Sequence, residues 1–369
     1  MPTRSLPATF MRGGTSNGLV IHRHHLPSDV EKWQPILSSA MGSPDPFGRQ
    51  LDGMGSGISS TSKVCVVSKS TRSDADVDYT FVQVGIKDGS LDLAGNCGNM
   101  SSAIGPWAYN EGLLKFGGEG GRRTVSVRVF NTNTGKIILA SFEVDGEGFV
   151  GEGTYALDGV PGTGSRITLE FLDPSGAKTG RGALPTGKGV DVVKLNDGSS
   201  IEATLSDVAN PGVFVRAEDL GVEGDINPAK MEEQPELMAR LEAIRQKGAE
   251  LMGLDPTTQT IPKIAIISRP TEKDDESVNV VVRALSMQQP HKAVPLTLAL
   301  NLGAASRVKG TLPAQVARSL EGQSVTVAHP TGKLEVGGVF GEDGAIKSAL
   351  LHRTARVLMK GDVFYSVKE

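Results

Sequence analysis

Two short stretches hold the residue types that proton-transfer chemistry needs. The first, AGNCGNMSSAIGPWA (94–108), sets Cys97 between Asn96 and Gly98, ahead of small residues that predict a helix start. The opening turn of a helix leaves its N–H groups without intrahelical acceptors and carries partial positive charge. Asn96, Gly98, Asn99 and Met100 would aim donors at a carboxylate or an enolate oxygen. The same field favours the thiolate of Cys97. The alternative is a small buried hydrophobe in a glycine turn. The second stretch, TSKVCVVSKS (61–70), places Lys63 in an apolar strand. A lysine desolvated there must be neutral or paired, and beside other cations it can serve as a base. The alternative is a lysine at the strand's solvent end. With a two-residue period Lys63 and Cys65 face one side and Val64 and Val66 the other, so Cys65 reads as core packing.

Other polar groups are weaker signals. MRGGTSNG (11–18) offers Arg12, Thr15, Ser16 and Asn17 as an anion cradle, or forms a plain turn. It lacks the Gly-Lys-Ser/Thr ending of a phosphate loop, and GMGSG (53–57) lacks the spacing of a dinucleotide fingerprint, so no nucleotide cofactor is expected. His22, His24 and His25 have no carboxylate or thiol at ligand spacing; they read as surface residues, and no metal is expected. No G-x-S-x-G elbow occurs, which argues against a hydroxyl–histidine triad.

The elements that must position these groups are written twice. TSKVCVVSKS (61–70) matches IPKIAIISRP (261–270), so that Lys63 and Lys263 stand 200 positions apart. GLVI (18–21) matches GVFV (212–215), and VRVFNTNTGKI (127–137) matches VTVAHPTGKL (325–334). In this alignment Cys97 falls opposite His291, and the second TGK turn brings His329, Thr331 and Gly332 opposite the first. Each half also has a helix of apolar spacing: Val30, Trp33, Leu37 and Met41, then Leu237, Leu241, Ile244 and Leu251. The expected fold is α+β: two pseudo-symmetric domains, 1–185 and 186–369, joined near 183–189, each with strands around one main central helix. Their loops would face each other across a cleft, where small-ligand sites are common.

Composition narrows the partners. The formal net charge of −4, with no basic tail or aromatic–basic interleaving, argues against nucleic acid. An anionic ligand would have its charge met locally. Two cysteines make no disulfide framework. The N-terminus lacks the apolar centre of a signal peptide, and no apolar run approaches the roughly 20 residues that span a bilayer. A reducing, cytoplasmic setting without membrane partners is the expectation. A homodimer is left open.

Taken together, MRGGTSNG, TSKV, AGNCGNMSSAIGPWA, NTNTGK and NPGVFV resemble the PrpF family over nearly the whole chain. The resemblance implies the diaminopimelate-epimerase-like fold and cofactor-independent isomerisation of unsaturated di- and tricarboxylic acids. It implies Lys63 and Cys97 as the catalytic pair. More distant racemases and epimerases of this fold use one cysteine per domain, and the second half here has none. Substrate carboxylates would then dock on the 96–100 amides and on the Thr15–Ser16 loop, with His291, the HPTG turn (329–332) and Arg283 toward the far end. Aconitate is the favoured substrate. A 4-oxalomesaconate tautomerase and a 2-methylaconitate or methylitaconate isomerase are the enzyme alternatives, and a carboxylate-binding protein is the non-enzyme one.

Overall fold

Some strands of this chain alternate buried and exposed residues, as Arg123–Asn131 does, while others are buried on both faces over most of their length, as Lys63–Lys69 is over 63–67. The computed structural model describes residues 3–114, 121–318, 320, 324–341 and 346–366. Contacts divide the chain into two units, 1–170 with 352–369, and 171–351. The boundary therefore lies away from the expected 185/186, and the second unit does not keep the C-terminus. The last strand, Ala355–Ser366, pairs antiparallel with β1 (Thr3–Gly13), from Thr3 opposite Ser366 to Gly13 opposite Ala355. Most of that last strand is exposed, so it carries no apolar pattern by which to place it.

The first unit adds β2 (Ser16–His22), α1 (Gln34–Met41), β3 (Lys63–Lys69), β4 (Val77–Val84), β5 (Leu91–Asp92), α2 (Gly98–Asn110), β6 (Arg123–Asn131) and β7 (Lys136–Val144). A small hairpin of β8 (Tyr155–Ala156) and β9 (Thr163–Gly164) follows, and β10 (Ile167–Leu172) runs across the boundary. Its sheet order is last strand, β1, β2, β3, β4, β6, β7; the β2–β3 and β4–β6 pairs are parallel and the others antiparallel.

In the second unit β11 (Asp191–Lys194), β12 (Ser200–Val208) and β13 (Asn210–Arg216) precede the short helices α3 (Ala217–Leu220) and α4 (Pro228–Glu232) and the long α5 (Pro235–Met252). Then come β14 (Lys263–Ser268), β15 (Val280–Ser286), β16 (Gln289–Pro290), α6 (Leu296–Ala305), α7 (Leu312–Val316), β17 (Ser324–His329), β18 (Gly332–Phe340) and β19 (Ile346–Arg353). The order β11, β12, β13, β14, β15, β17, β18 repeats the first unit's succession of parallel and antiparallel pairs. The repeat legible in the sequence is thus a repeat of topology.

In each unit one face of the sheet holds the central helix. α2 packs on β1, β2, β3, β6 and β7, and α6 on β12, β13, β17 and β18. The other face holds α1 in the first unit, where Trp33, Leu37 and Met41 meet Leu19, Ile21, Val64 and Val66. In the second it holds α5, where Leu237, Leu241 and Ile244 meet Val213, Val215, Ile264 and Ile266. Two expected core positions differ. Val30 lies exposed in a 3-10 turn ahead of α1. Leu251 is 45% exposed, because the stripe 237, 241, 244, 248 continues to Met252. α2 is buried from Gly98 to Ala108, and small residues let it fit: a Cβ on Gly105 would stand 2.7 Å from Phe142 Cε1. Two repeated units of strands around a central helix are what the internal repeat predicted, and they agree with the fold that the resemblance implied.

Candidate active site

The first unit assembles most of the expected residues around the start of α2. Cys97 is the N-cap, in extended conformation, and its thiol makes no capping bond. Its carbonyl accepts from Ser101 N (3.0 Å) and Ser101 Oγ (3.1 Å), which closes the first turn. The amides of Gly98, Asn99 and Met100 have no intrahelical acceptor, and no acidic residue lies in this turn. The side chain of Met100 is fully buried, so only its backbone can serve a ligand.

The loop that carries Cys97 is pinned by the NTNTGK turn between β6 and β7. Asn131 Nδ2 donates to Asn96 Oδ1 (3.3 Å) while its Oδ1 accepts from Thr134 N and Oγ1. Asn133 Nδ2 donates to Leu93 O (2.6 Å) and Phe81 O (2.8 Å). These asparagines are buried or nearly so, and such groups hold geometry because leaving them unpaired is costly. Sequence reading took NTNTGK as a repeat marker and missed this function.

The β1–β2 hairpin abuts the same turn. Gly14, with φ +52°, is the first residue of a two-residue connection, the place where a II′ turn takes glycine. A Cβ there would meet Asn99 Oδ1 at 2.2 Å, and one on Gly13 would meet Asn99 O at 2.6 Å. The paired glycines are therefore fixed by the approach of α2. Asn99 Nδ2 donates to Thr15 Oγ1 (3.1 Å), and Ser16 is buried beside it with Asn17 half-buried opposite Arg12 in the ladder. Arg12 spends Nη1 on Gly14 O (2.9 Å) and Thr354 O (3.1 Å), so it braces the hairpin.

Lys63 opens β3 and is 6% exposed. Val64 and Val66 belong to the α1 side, so Lys63 and Cys65 face α2, as the two-residue period predicts. Lys63 Nζ donates to Gln83 Oε1 (2.8 Å) and lies 5.0 Å from the Phe81 ring centre. Among the described residues no carboxylate lies within 4.0 Å of it. Gln83 is its cross-strand partner, and Gln83 Nε2 donates to Ser59 O and Ser62 O. That fixes the amide so that its oxygen faces the lysine. Cys65 is fully buried; burial pushes its thiol well above the usual range, with Cys97 adding to the shift and the Tyr79 hydroxyl (3.8 Å) opposing it. It is core packing.

Arg353, absent from the sequence reading, is the other buried cation of this cluster. It is 3% exposed, and its Nε donates to Asn99 Oδ1 (3.1 Å). The histidines lie apart: His22 packs on Trp107 and pairs with Glu111 (3.4 Å), while the His24 and His25 rings contact each other at a tilt of 50°. A separate cleft of about 810 Å³ on the first unit is lined by Arg122, Ser141, Glu143 and Arg166 and contains none of the candidate residues.

In the second unit the topological counterpart of Cys97 is Pro295, the N-cap of α6, and not His291. The alignment slips because His291 lies four residues earlier, where its Nδ1 accepts from Ala293 N (3.0 Å). A further match was missed: Asn210 Nδ2 donates to Thr297 Oγ1 (3.0 Å), a helix-start to hairpin link like that of Asn99 and Thr15. Arg283 does not suit the expected carboxylate contact. Its Nε, Nη1 and Nη2 donate to Ile226 O, Val282 O and Asp225 O, and it ties the segment before α4 to β15. His329 closes β17 opposite Gly332, which opens β18, and its Nδ1 lies 3.4 Å from both Thr331 N and Thr331 Oγ1.

The family described as PrpF protein matches residues 3–366. The (4E)-oxalomesaconate Delta-isomerase of Novosphingobium sp. (strain KA1) is 38% identical, over 98% of this chain and 97% of its own. The crystal structure of a methylitaconate-delta-isomerase superposes with a TM-score of 0.76 at 36% identity, covering 99% of this chain and 96% of the other. A hydroxyproline epimerase from Agrobacterium vitis shares the fold, with a TM-score of 0.56 at 12% identity over 98% and 93% of the two chains.

Proposed function

Since this chain belongs to the PrpF family and is an isomerase, we propose that it isomerises an unsaturated di- or tricarboxylic acid, without a cofactor, by moving a proton along an allylic system. The observation that carries this reading is Lys63: a buried amine facing α2, held by the oxygen of Gln83, with no carboxylate within 4.0 Å among the described residues. Such a group can take a proton from carbon without a neighbouring acid trapping it as a salt bridge.

In the proposed reaction unprotonated Lys63 removes a proton from the carbon γ to a conjugated carboxylate. The electron pair left behind spreads into an allylic enolate, whose oxygen meets the preorganised amides of Gly98, Asn99 and Met100. Loss of the fixed double bond permits rotation, which exchanges cis and trans. Proton return at the other allylic carbon instead moves the double bond. Cys97 delivers that proton from its Sγ, and the thiolate is then reset by the proton held on Lys63. Thr15, Ser16 and Asn17, on the hairpin whose Thr15 bonds the Asn99 side chain, are proposed as further carboxylate contacts. Aconitate is the preferred substrate; the 38% identity to an oxalomesaconate isomerase favours that acid as second.

Proton NMR in D2O, with cis-aconitate, trans-aconitate, methylitaconate and oxalomesaconate in separate tubes, tests the proposal. Interconversion with deuterium entering the allylic carbon in one tube names the substrate. Lys63→Met should abolish it. Full activity of that variant would remove Lys63 from the mechanism, and no exchange in any tube would reject this set of acids.

A further inference from the structure

We propose that Arg353 pairs directly with a substrate carboxylate at the start of α2, an assignment that rests on the carboxylic-acid reading above. Arg353 lies just ahead of the last strand and is brought to α2 by the pairing of that strand with β1. Its Nε is taken by Asn99 Oδ1 (3.1 Å) and its Nη1 by His352 O (2.9 Å). Among the described residues Nη2 has no hydrogen-bond partner, and no carboxylate lies within 4.0 Å of the guanidinium.

A guanidinium keeps its charge at neutral pH, so it cannot escape burial by losing a proton. Burial does push this one down, to about 10, which still leaves it a cation. The surroundings add positive charge. Arg12 is half-buried, and Arg356 stands opposite it in the ladder and lowers it further. No acid lies in the first turn of α2. A charge buried without a counter-ion is costly unless a partner arrives. For holding Asn99 alone, a neutral donor such as glutamine would serve without that cost. Asn99 is fixed from both sides, by Arg353 on Oδ1 and Thr15 on Nδ2. The helix amides and the remaining guanidinium nitrogen therefore belong to one rigid cluster, into which a carboxylate brings the missing negative charge.

The test uses the full chain and tricarballylate, a saturated tricarboxylate that has no double bond to move. Calorimetry on wild type, Arg353→Gln and Arg353→Lys should show binding weakened roughly 10- to 100-fold by glutamine, which keeps a donor toward Asn99, and largely kept by lysine, which keeps the charge. Residual deuterium exchange in the glutamine variant should show KM raised more than kcat is lowered. Equal affinity of glutamine variant and wild type overturns the assignment, as does a wild type that does not bind tricarballylate at millimolar concentration. If neither variant folds, a crystal structure of wild type with tricarballylate decides: a carboxylate oxygen within hydrogen-bond distance of an Arg353 nitrogen supports it, and all three carboxylates seated elsewhere overturn it. A wild type that binds tricarballylate through Arg353 yet isomerises none of the four acids rejects that set of substrates and leaves this pairing standing.

Discussion

Gln83→Glu tests the role of Lys63 without touching the lysine. The new carboxylate oxygen would stand where Oε1 does, 2.8 Å from Nζ. At an effective dielectric of about 20, two unit charges at that separation attract by about 6 kcal/mol, a ceiling of roughly 4 pH units. Gln83 is 2% exposed, so desolvation of the new carboxylate takes back part of this, and a shift of about 1–3 units is expected. The sign is upward: the carboxylate favours the ammonium, and the base form appears only at higher pH. The second carboxylate oxygen would face the carbonyls of Ser59 and Ser62, where Nε2 now donates, at a cost of roughly 1–3 kcal/mol in stability. The assay is kcat/KM from about pH 6 to about pH 10 for wild type, Gln83→Glu and Gln83→Met. The glutamate variant should be about 10- to 1000-fold slower at neutral pH and recover as pH rises. The methionine variant, which only loses the orienting oxygen, should lower kcat without moving the limb on which the rate rises with pH. A glutamate profile that superimposes on wild type in shape would refute Lys63 as the base.

Three other outcomes follow from the packing. Iodoacetamide on the folded chain should label Cys97, which is partly exposed, and spare the buried Cys65, with activity lost in step with Cys97 labelling; mass mapping that finds Cys65 labelled first refutes the arrangement. Gly105→Ala should cost about 1–3 kcal/mol in urea unfolding, since its Cβ would stand 2.7 Å from Phe142 Cε1; a stability unchanged from wild type would show that the ring yields freely. NMR titration should place His25 below 6.5, because burial and then His24 and His22 disfavour its charged form, and His24→Gln should raise it. The folded chain then prefers neutral His25, so this cost to stability is present in full below its folded pKa and disappears as pH rises through 6.5. A midpoint above 6.5 would contradict the packing.

What the sequence made legible was local. The alternation around Lys63 and Cys65 predicts their face, and the small residues after Cys97 predict the helix start. The twofold writing predicts that the two units repeat each other, though not the order of strands within their sheets. What escaped depends on distance along the chain. Arg353 meets Asn99 across 254 positions and sits in a segment without a motif. Gln83 reads as one more polar residue in a strand until its partner Lys63 is placed opposite. Pro295 replaces His291 at the helix start because the second loop differs in length from the first.

The pairing of β1 with the last strand also dictates an order of assembly. Every strand wholly within 171–351 is available before Ala355–Ser366 has been synthesised, so the second unit can form while the first still lacks a strand. Until then one edge of β1, from Thr3 to Gly13, stands open and competent to recruit a strand from another chain. Removing the last dozen or so residues should therefore raise the product's tendency to aggregate, even though they carry none of the proton-transfer groups.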